Sequence, residues 1–299
     1  LRVFLFFILL IQPSIIQISC GRKNLSQPVI ISVIFTTDTH GNIYPCGCRV
    51  PLGGISERSF EIKRLRMNDQ ETLVLDNGSS LWGINHVVNR SNGKVIVEAM
   101  NEMKYAAMNL RATDLSYYTV SQIKELQDLA EFEFISSNLT IKNSELNLKE
   151  YIILNVKGVN IGVTGVSEFN KNSEEKYDYL KPEYALEKVI PKMKKESDFI
   201  IVLSGLSFQE SANLPRMVPD IDLVISSPAT VPVVKPRLIN DSIIATSFRE
   251  GMAIGHIELG FNIERKFTDH KYRHIQIQEG MPKDKSVQNI LKKYQTREE

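Results

Sequence analysis

The sequence predicts a mixed α/β domain whose strands are buried on both faces. Three observations lead there. Short, almost wholly apolar runs rich in Val, Ile and Leu recur along the chain, as expected of strands covered on two sides. Stretches with helical spacing of apolar residues separate these runs, the alternation of βαβ units. The composition is that of an ordinary folded body: 299 residues, 42% hydrophobic, 24% charged, 16 Gly, 12 Pro and 3 Cys. Such proportions exclude a disordered tail, a disulfide-stapled miniprotein and a collagen-like or low-complexity chain. A formal charge of +1 supplies no net basic field, so a nucleic-acid polymer is not an expected partner.

Residues 29–37 form a β-branched run that reads as the first strand, followed by a Gly-rich loop and a helical stretch at 55–67. A buried strand is expected at 72–76, a helix at 93–103, a strand at 106–110, a helix at 120–129 and a strand at 133–137. The apolar runs 151–156 and 160–165 flank Lys157-Gly158, a β-hairpin signal. A helix at 183–196 leads into a strand at 198–203. Strand-like runs then dominate, at 222–225, 243–246, 254–259 and 272–278, before an amphipathic helix at 284–294. Neither an internal repeat nor a long linker divides this pattern, so residues 29–299 are expected to form one domain.

The first twenty residues differ. Arg2 precedes an unbroken apolar run at 3–11. That run is too short to span a bilayer as a helix and suits the core of a signal peptide. The segment ends in Ile18-Ser19-Cys20-Gly21 and resembles a bacterial lipoprotein cleavage box, with Gln17 where that pattern prefers Leu. The resemblance implies a signal peptide at 1–19, lipidation of Cys20 and a polar tether at 20–28. It also implies export to the bacterial cell envelope, on a periplasmic or surface face, with the membrane as partner through the anchor at Cys20. A multi-chain anchor would hold the protein there, whereas one acyl chain is marginal. The alternative is an ordinary signal peptide containing a cysteine, which would leave an odd thiol in an exported protein. Losing 1–19 removes one cation and leaves the charges balanced.

The first strand runs into Asp38-Thr39-His40-Gly41. Residues two apart on a strand share a face, so Asp38 and His40 could grip one metal ion. Alone, that pair is a common accident. Its context adds weight: Gly53-Gly54-Ile55 opens a helix, Leu73-Val74-Leu75-Asp76-Asn77-Gly78 follows, and later come Asn109-Leu110, Phe134 to Asn138, Val159 to Gly165 and Asp222 to Ile225. This order resembles the metallophosphoesterase domain of the 5'-nucleotidase family, the calcineurin-like phosphoesterases. The resemblance covers about residues 30–295 and implies a four-layer α/β/β/α sandwich with two central mixed sheets. It implies two metal ions, about 3.5–4 Å apart, that polarise a phosphate and activate a water. A second, C-terminal domain grips the nucleotide base in that family, and residues 29–299 are not expected to include it.

Carried over residue by residue, most ligands of that family are absent. Asp38 and His40 remain as residual metal positions. The bridging carboxylate of the second motif falls on Ser79, whose neutral hydroxyl cannot offset the repulsion of two cations. The third motif's Asn and His fall on Ala112 and Thr113, removing a ligand and the proton donor; a hydroxyl lies far from the near-neutral pKa that general acid catalysis favours. Gly205 stands for one further His, and the final His pair falls on Ser227 and Ala229. Two remaining ligands should hold a divalent ion only weakly. The reading is a degenerate member of the fold that acts by binding a small molecule or protein partner, with no cofactor. The alternative is an active metal-dependent phosphoric-ester or nucleotide hydrolase, using zinc, manganese or iron, with Asp76, Asp114 and His86 as substitute ligands. Their plainer roles are a strand-end cap, a turn cap and a surface histidine.

Cys46 and Cys48, in Tyr44-Pro45-Cys46-Gly47-Cys48, suggest a strained disulfide or a soft-metal site with His40 as a third ligand, weighed against inherited loop architecture. Trp82, the single tryptophan, reads as core packing, and His256, His270 and His274 read as structural histidines without partners. The chain contains no nucleophile elbow, P-loop or dinucleotide fingerprint.

Overall fold

A computed structural model describes residues 24–47, 49–142, 145–146, 148–229 and 234–296. In chain order the elements are β1 (Val29–Thr36), α1 (Ile55–Asn68), β2 (Leu73–Asp76), α2 (His86–Arg90), α3 (Lys94–Glu102), β3 (Ala107–Asn109), α4 (Ala112–Tyr117) and α5 (Val120–Leu129). Next come β4 (Glu133–Ile135), β5 (Leu139–Ile141), β6 (Tyr151–Val156), β7 (Val159–Val166), β8 (Tyr177–Tyr179), α6 (Pro182–Glu196), β9 (Phe199–Ser204) and α7 (Phe208–Met217). β10 (Leu223–Ser226), β11 (Arg237–Ile239), β12 (Ser242–Thr246), β13 (Ala253–Phe261), β14 (Phe267–Gln276) and α8 (Lys285–Gln295) complete them.

Two six-stranded sheets form the centre, ordered β14-β13-β1-β2-β3-β4 and β11-β12-β10-β9-β7-β6, with a small β5-β8 pair outside them. Within the first sheet β1, β2, β3 and β4 are parallel, and β13 joins β1 antiparallel. In the second, β7, β9, β10 and β12 are parallel, with antiparallel β6 and β11 at the edges. Both sheets are therefore mixed.

Strand alternation sorts the side chains into three cores. Ile31, Phe35 and Leu75 face Ile201, Leu203 and Ile225 between the sheets. Their neighbours Ile34, Val74, Met108 and Phe134 face the helices α1, α3, α5 and α8 instead. Ile200, Val202, Val224 and Ile244 point the other way, toward α6 and α7. The result is the expected four-layer sandwich, and it explains why these strands read as unbroken apolar runs. Each such side chain removed from water contributes about 1.5–3 kcal/mol.

Some elements lie beyond the sequence reading. α4 and α2 are too short for a helical period, and α7 carries Pro215 near its end, which obscures its pattern. β14 begins at Phe267 rather than at 272, because its half-exposed residues alternate polar and apolar on an edge strand. Leu25, within the segment read as a tether, donates its N–H to the Ile263 carbonyl at 2.8 Å and packs against the inter-sheet core. The segment read as a signal peptide, with Cys20, lies outside the described residues.

Candidate functional site

The parallel strands of both sheets end on one side of the molecule: β1 at Thr36, β2 at Asp76, β3 at Asn109, β9 at Ser204 and β10 at Ser226. Loops leaving such ends are where open α/β sheets place their ligands. Asp38 and His40 do meet here, though not by strand alternation. Both follow β1 in left-handed backbone, φ 47° and 49°, with Ser79 opposite them at φ 56°. Their main-chain N–H groups donate to the carbonyls of Gly78 and Ser79 at 3.2 and 2.9 Å. Non-glycine residues held in this region cost about 1–3 kcal/mol each and gather at functional sites. His40 Nε2 stands 3.9 Å from Asp38 Oδ1. Burial lowers the His40 pKa, against the opposing pull of Asp38.

The centre of the site is a residue that the sequence reading passed over. Arg111, buried to 6% exposure, extends its guanidinium across the strand ends. Nη1 donates to Asp38 Oδ1 at 2.7 Å and to Ser227 Oγ at 3.1 Å. Nε donates to Glu168 Oε2 at 2.8 Å, and Nη2 to the Gly205 carbonyl at 2.8 Å. Burial alone would lower the pKa of Arg111, but Asp38 and Glu168 outweigh it and raise it. Burial pushes Glu168 up in turn, and Arg111 with the Thr113 hydroxyl brings it below the usual carboxylate range.

The remaining positions support this cluster. Thr113 Oγ1 donates to Glu168 Oε1, and the Ala112 N–H donates to Ser167 Oγ at 2.8 Å. Ala229 is half-buried against the α6–α7 core. Asp114 accepts the N–H groups of Ser79, Ser80 and Leu81 at 2.8, 3.0 and 3.2 Å, tying α4 to the loop after β2. Burial raises its pKa to about 7 against those bonds. Asp76 accepts from Thr36 Oγ1 at 2.5 Å, Gly78 N at 2.8 Å and Ser80 Oγ at 3.1 Å, and burial raises it to about 6. His86 is exposed at the start of α2. The structure thus brings neither Asp76 nor Asp114 forward as a free ligand: both spend their oxygens on local hydrogen bonds. Among the described residues, no group of three or more His, Cys, Asp and Glu is placed to hold a metal ion.

Trp82 packs against the helix-side core, as read. It lies half-buried at the rim, its indole stacked on Tyr117 at a 3.7 Å centroid distance and 11° between planes, with the His40 ring 5.4 Å away. Cys46 Sγ accepts the Leu52 N–H at 3.4 Å, while Cys48 lies outside the described residues. His256 has partners after all: Ser32 Oγ at 2.7 Å and Arg273 Nη2 at 3.1 Å. His274 packs against the Phe248 ring and His270 against that of Phe267.

No family model matches the chain. It is 24% identical over 222 residues to an uncharacterized metallophosphoesterase, YunD, of Bacillus subtilis, covering 72% of this chain and 47% of that protein. It is 24% identical over 212 residues to a snake venom 5'-nucleotidase of Crotalus adamanteus, covering 65% and 36%. The chain therefore spans less than half the length of these curated relatives. Among solved structures, a 5'-nucleotidase precursor of Thermus thermophilus superposes with a TM-score of 0.80 at 18% identity, covering 90% of this chain and 59% of the other. The calcineurin-like phosphoesterase YfkN of Bacillus subtilis gives 0.75 at 21% identity, covering 90% and 98%. This is the calcineurin-type metallophosphoesterase fold.

A metallophosphoesterase fold of this kind implies a pair of divalent ions among the strand ends, and the residues present do not fit one. Asp38, the surviving carboxylate, is already bonded to a guanidinium, and a dication brought beside Arg111 would meet like charge at close range. These residues also fit one another. A Cβ on residue 205 would collide with Arg111 Nε and stand 2.9 Å from its Cδ, so glycine clears space for the side chain. Ser227 supplies an oxygen where the family resemblance expects an imidazole. The available signal was Arg111 itself, standing where the third motif normally opens with glycine. Glu168, from the end of β7, had no motif to announce it.

Proposed function

We propose that this chain is an exported 5'-nucleotidase-like protein, lipid-anchored through Cys20 at the bacterial cell envelope, whose metallophosphoesterase domain binds a ligand without hydrolysing it. One observation carries the reading: Arg111 links Asp38, Glu168, Ser227 and Gly205 in a single buried hydrogen-bonded cluster. A permanent cation takes over the charge balance that metal ions supply in an active centre. Its cost of burial is offset by two carboxylates with good geometry, the condition under which buried ion pairs persist. Thr113 also lies against Glu168, so it is committed to the cluster rather than poised beside a leaving group.

The test is metal analysis of the purified chain together with hydrolysis of an aryl phosphate in added zinc, manganese or iron. The expected outcome is substoichiometric metal and no metal-dependent turnover. About two equivalents of metal with turnover abolished by Asp38→Ala would establish the active hydrolase instead. For the anchor, expression in a bacterial host should give a membrane-associated chain that Cys20→Ser releases into the soluble fraction.

A further inference from the structure

Next to the Arg111 cluster lies a recess of about 220 Å³, with His40, Asn42, Trp82, Ile84, Asn85 and Glu250 on its wall. Glu250 is the one carboxylate among these. Its N–H donates to the Asp38 carbonyl at 2.8 Å, and its backbone sits at φ 60°, so the residue is fixed against the loop after β1. It makes no ion pair among the described residues. His40 contributes its imidazole ring to the same wall. The other charges around His40 are Asp38, Arg111 and Arg249. Arg111 spends its N–H groups on Asp38, Glu168, Ser227 and Gly205, and Arg249 is exposed and off the recess wall. An entering phosphate would face the Glu250 carboxylate.

The aromatic wall adds an independent observation. Trp82 Nε1 is buried without a hydrogen-bond partner, and an unmade hydrogen bond of this kind costs about 1–3 kcal/mol. Packing alone would be served by phenylalanine at no such cost. What tryptophan adds is an N–H donor that a ligand hydroxyl can satisfy and, with one face covered by Tyr117, the ring type that best attracts a cation. Beyond it, Ile84 is 97% exposed, giving the mouth an apolar edge.

Building on the reading of this domain as a binding module, we propose that the recess binds an alkylated ammonium group, held by the Trp82 face and the Glu250 carboxylate. A compact organic cation with apolar methyl groups satisfies the apolar edge, the aromatic ring and the single negative charge together. A phosphate group on its own would bring its negative charge against the Glu250 carboxylate.

Because Trp82 is the single tryptophan, its fluorescence reports directly on the recess. Titrating the full chain with choline should change Trp82 emission saturably, while the neutral isostere 3,3-dimethylbutanol and inorganic phosphate should not. Glu250→Gln should weaken choline binding about tenfold. Trp82→Phe, followed by calorimetry, should keep the fold and also weaken it. Vesicles of phosphatidylcholine, compared with phosphatidylglycerol, then separate sources: co-sedimentation only with the former means a lipid headgroup, and none means a free cation. Equal binding of the neutral isostere, an unchanged Glu250→Gln affinity, or no response to choline would overturn the proposal. Failure here leaves the metal and turnover assays untouched, and a metal-loaded active enzyme would defeat the broader reading whatever choline does.

Discussion

Gly205 leaves the space that Arg111 fills: its carbonyl accepts Nη2 at 2.8 Å, and any Cβ there would collide with Nε. The bare glycine and the guanidinium are two sides of one packing solution. Gly205→Ala should therefore destabilise the protein by about 1–3 kcal/mol, the usual penalty of overpacking. In an Arg111→Ala background the same change should cost less, since the two Arg111 contacts are gone and only Glu168 Oε2, at 2.9 Å, remains close. A double-mutant cycle from urea unfolding measures this, and additive effects would show that the two positions are not coupled.

Arg111 is also the counter-charge of two buried carboxylates. Arg111→Met keeps much of the side-chain volume and leaves Asp38 and Glu168 facing one another without compensation. Removing one partner of a buried ion pair costs about 3–5 kcal/mol. A drop of that size in unfolding free energy is expected, and adding Glu168→Gln should recover part of it. A loss below about 1 kcal/mol, the range of exposed pairs, would mean that the cluster is wet and weak.

Asp114 gives the stability a pH dependence of definite sign. Its folded pKa of about 7 lies above the unfolded 3.8 because burial disfavours the charged form. Between these values the folded chain keeps the proton that the unfolded chain releases. This contribution is thus complete below about pH 4 and is lost as pH rises through 7. Asp114→Asn removes the titration, so the stability difference between wild type and variant should shrink steadily from pH 4 to 8. Unfolding free energies across that range test it, and a constant difference would remove Asp114 from the account.

The fold was legible because strands such as β9 and β10 are buried on both faces, which leaves Ile200 to Leu203 and Leu223 to Ile225 wholly apolar. The motif positions were legible too, since each follows a strand end that the apolar runs mark. What filled the site was not. Arg111 meets Glu168 from β7 and Asp38 from β1 through tertiary contacts that no local spacing encodes. Asp114 looked like a spare ligand because a carboxylate's type is visible in sequence, whereas its four backbone donors are not. Trp82 does pack against the core as a lone tryptophan beside apolar residues suggests, but its stack on Tyr117 and its place on the recess wall are tertiary and have no local signal.

If the guanidinium does the electrostatic work of a metal ion, removing it should create an appetite for one. Arg111→Ala leaves Asp38, Glu168 and His40 around a cavity open to small cations. Two carboxylates and one imidazole suit manganese or zinc, and a ligand that binds only the folded chain stabilises it by mass action. Millimolar manganese should raise the melting temperature of Arg111→Ala by several degrees, on the scale of about 4 °C per kcal/mol or less for a chain of this size. The wild type should not respond, because Arg111 already neutralises Asp38. A thermal-shift series with manganese, and with magnesium as a weaker-binding control, measures both proteins side by side. Equal shifts in the two would show that the guanidinium and the metal do not compete for the same carboxylates, and the cluster would then be an ion pair beside the site rather than its occupant.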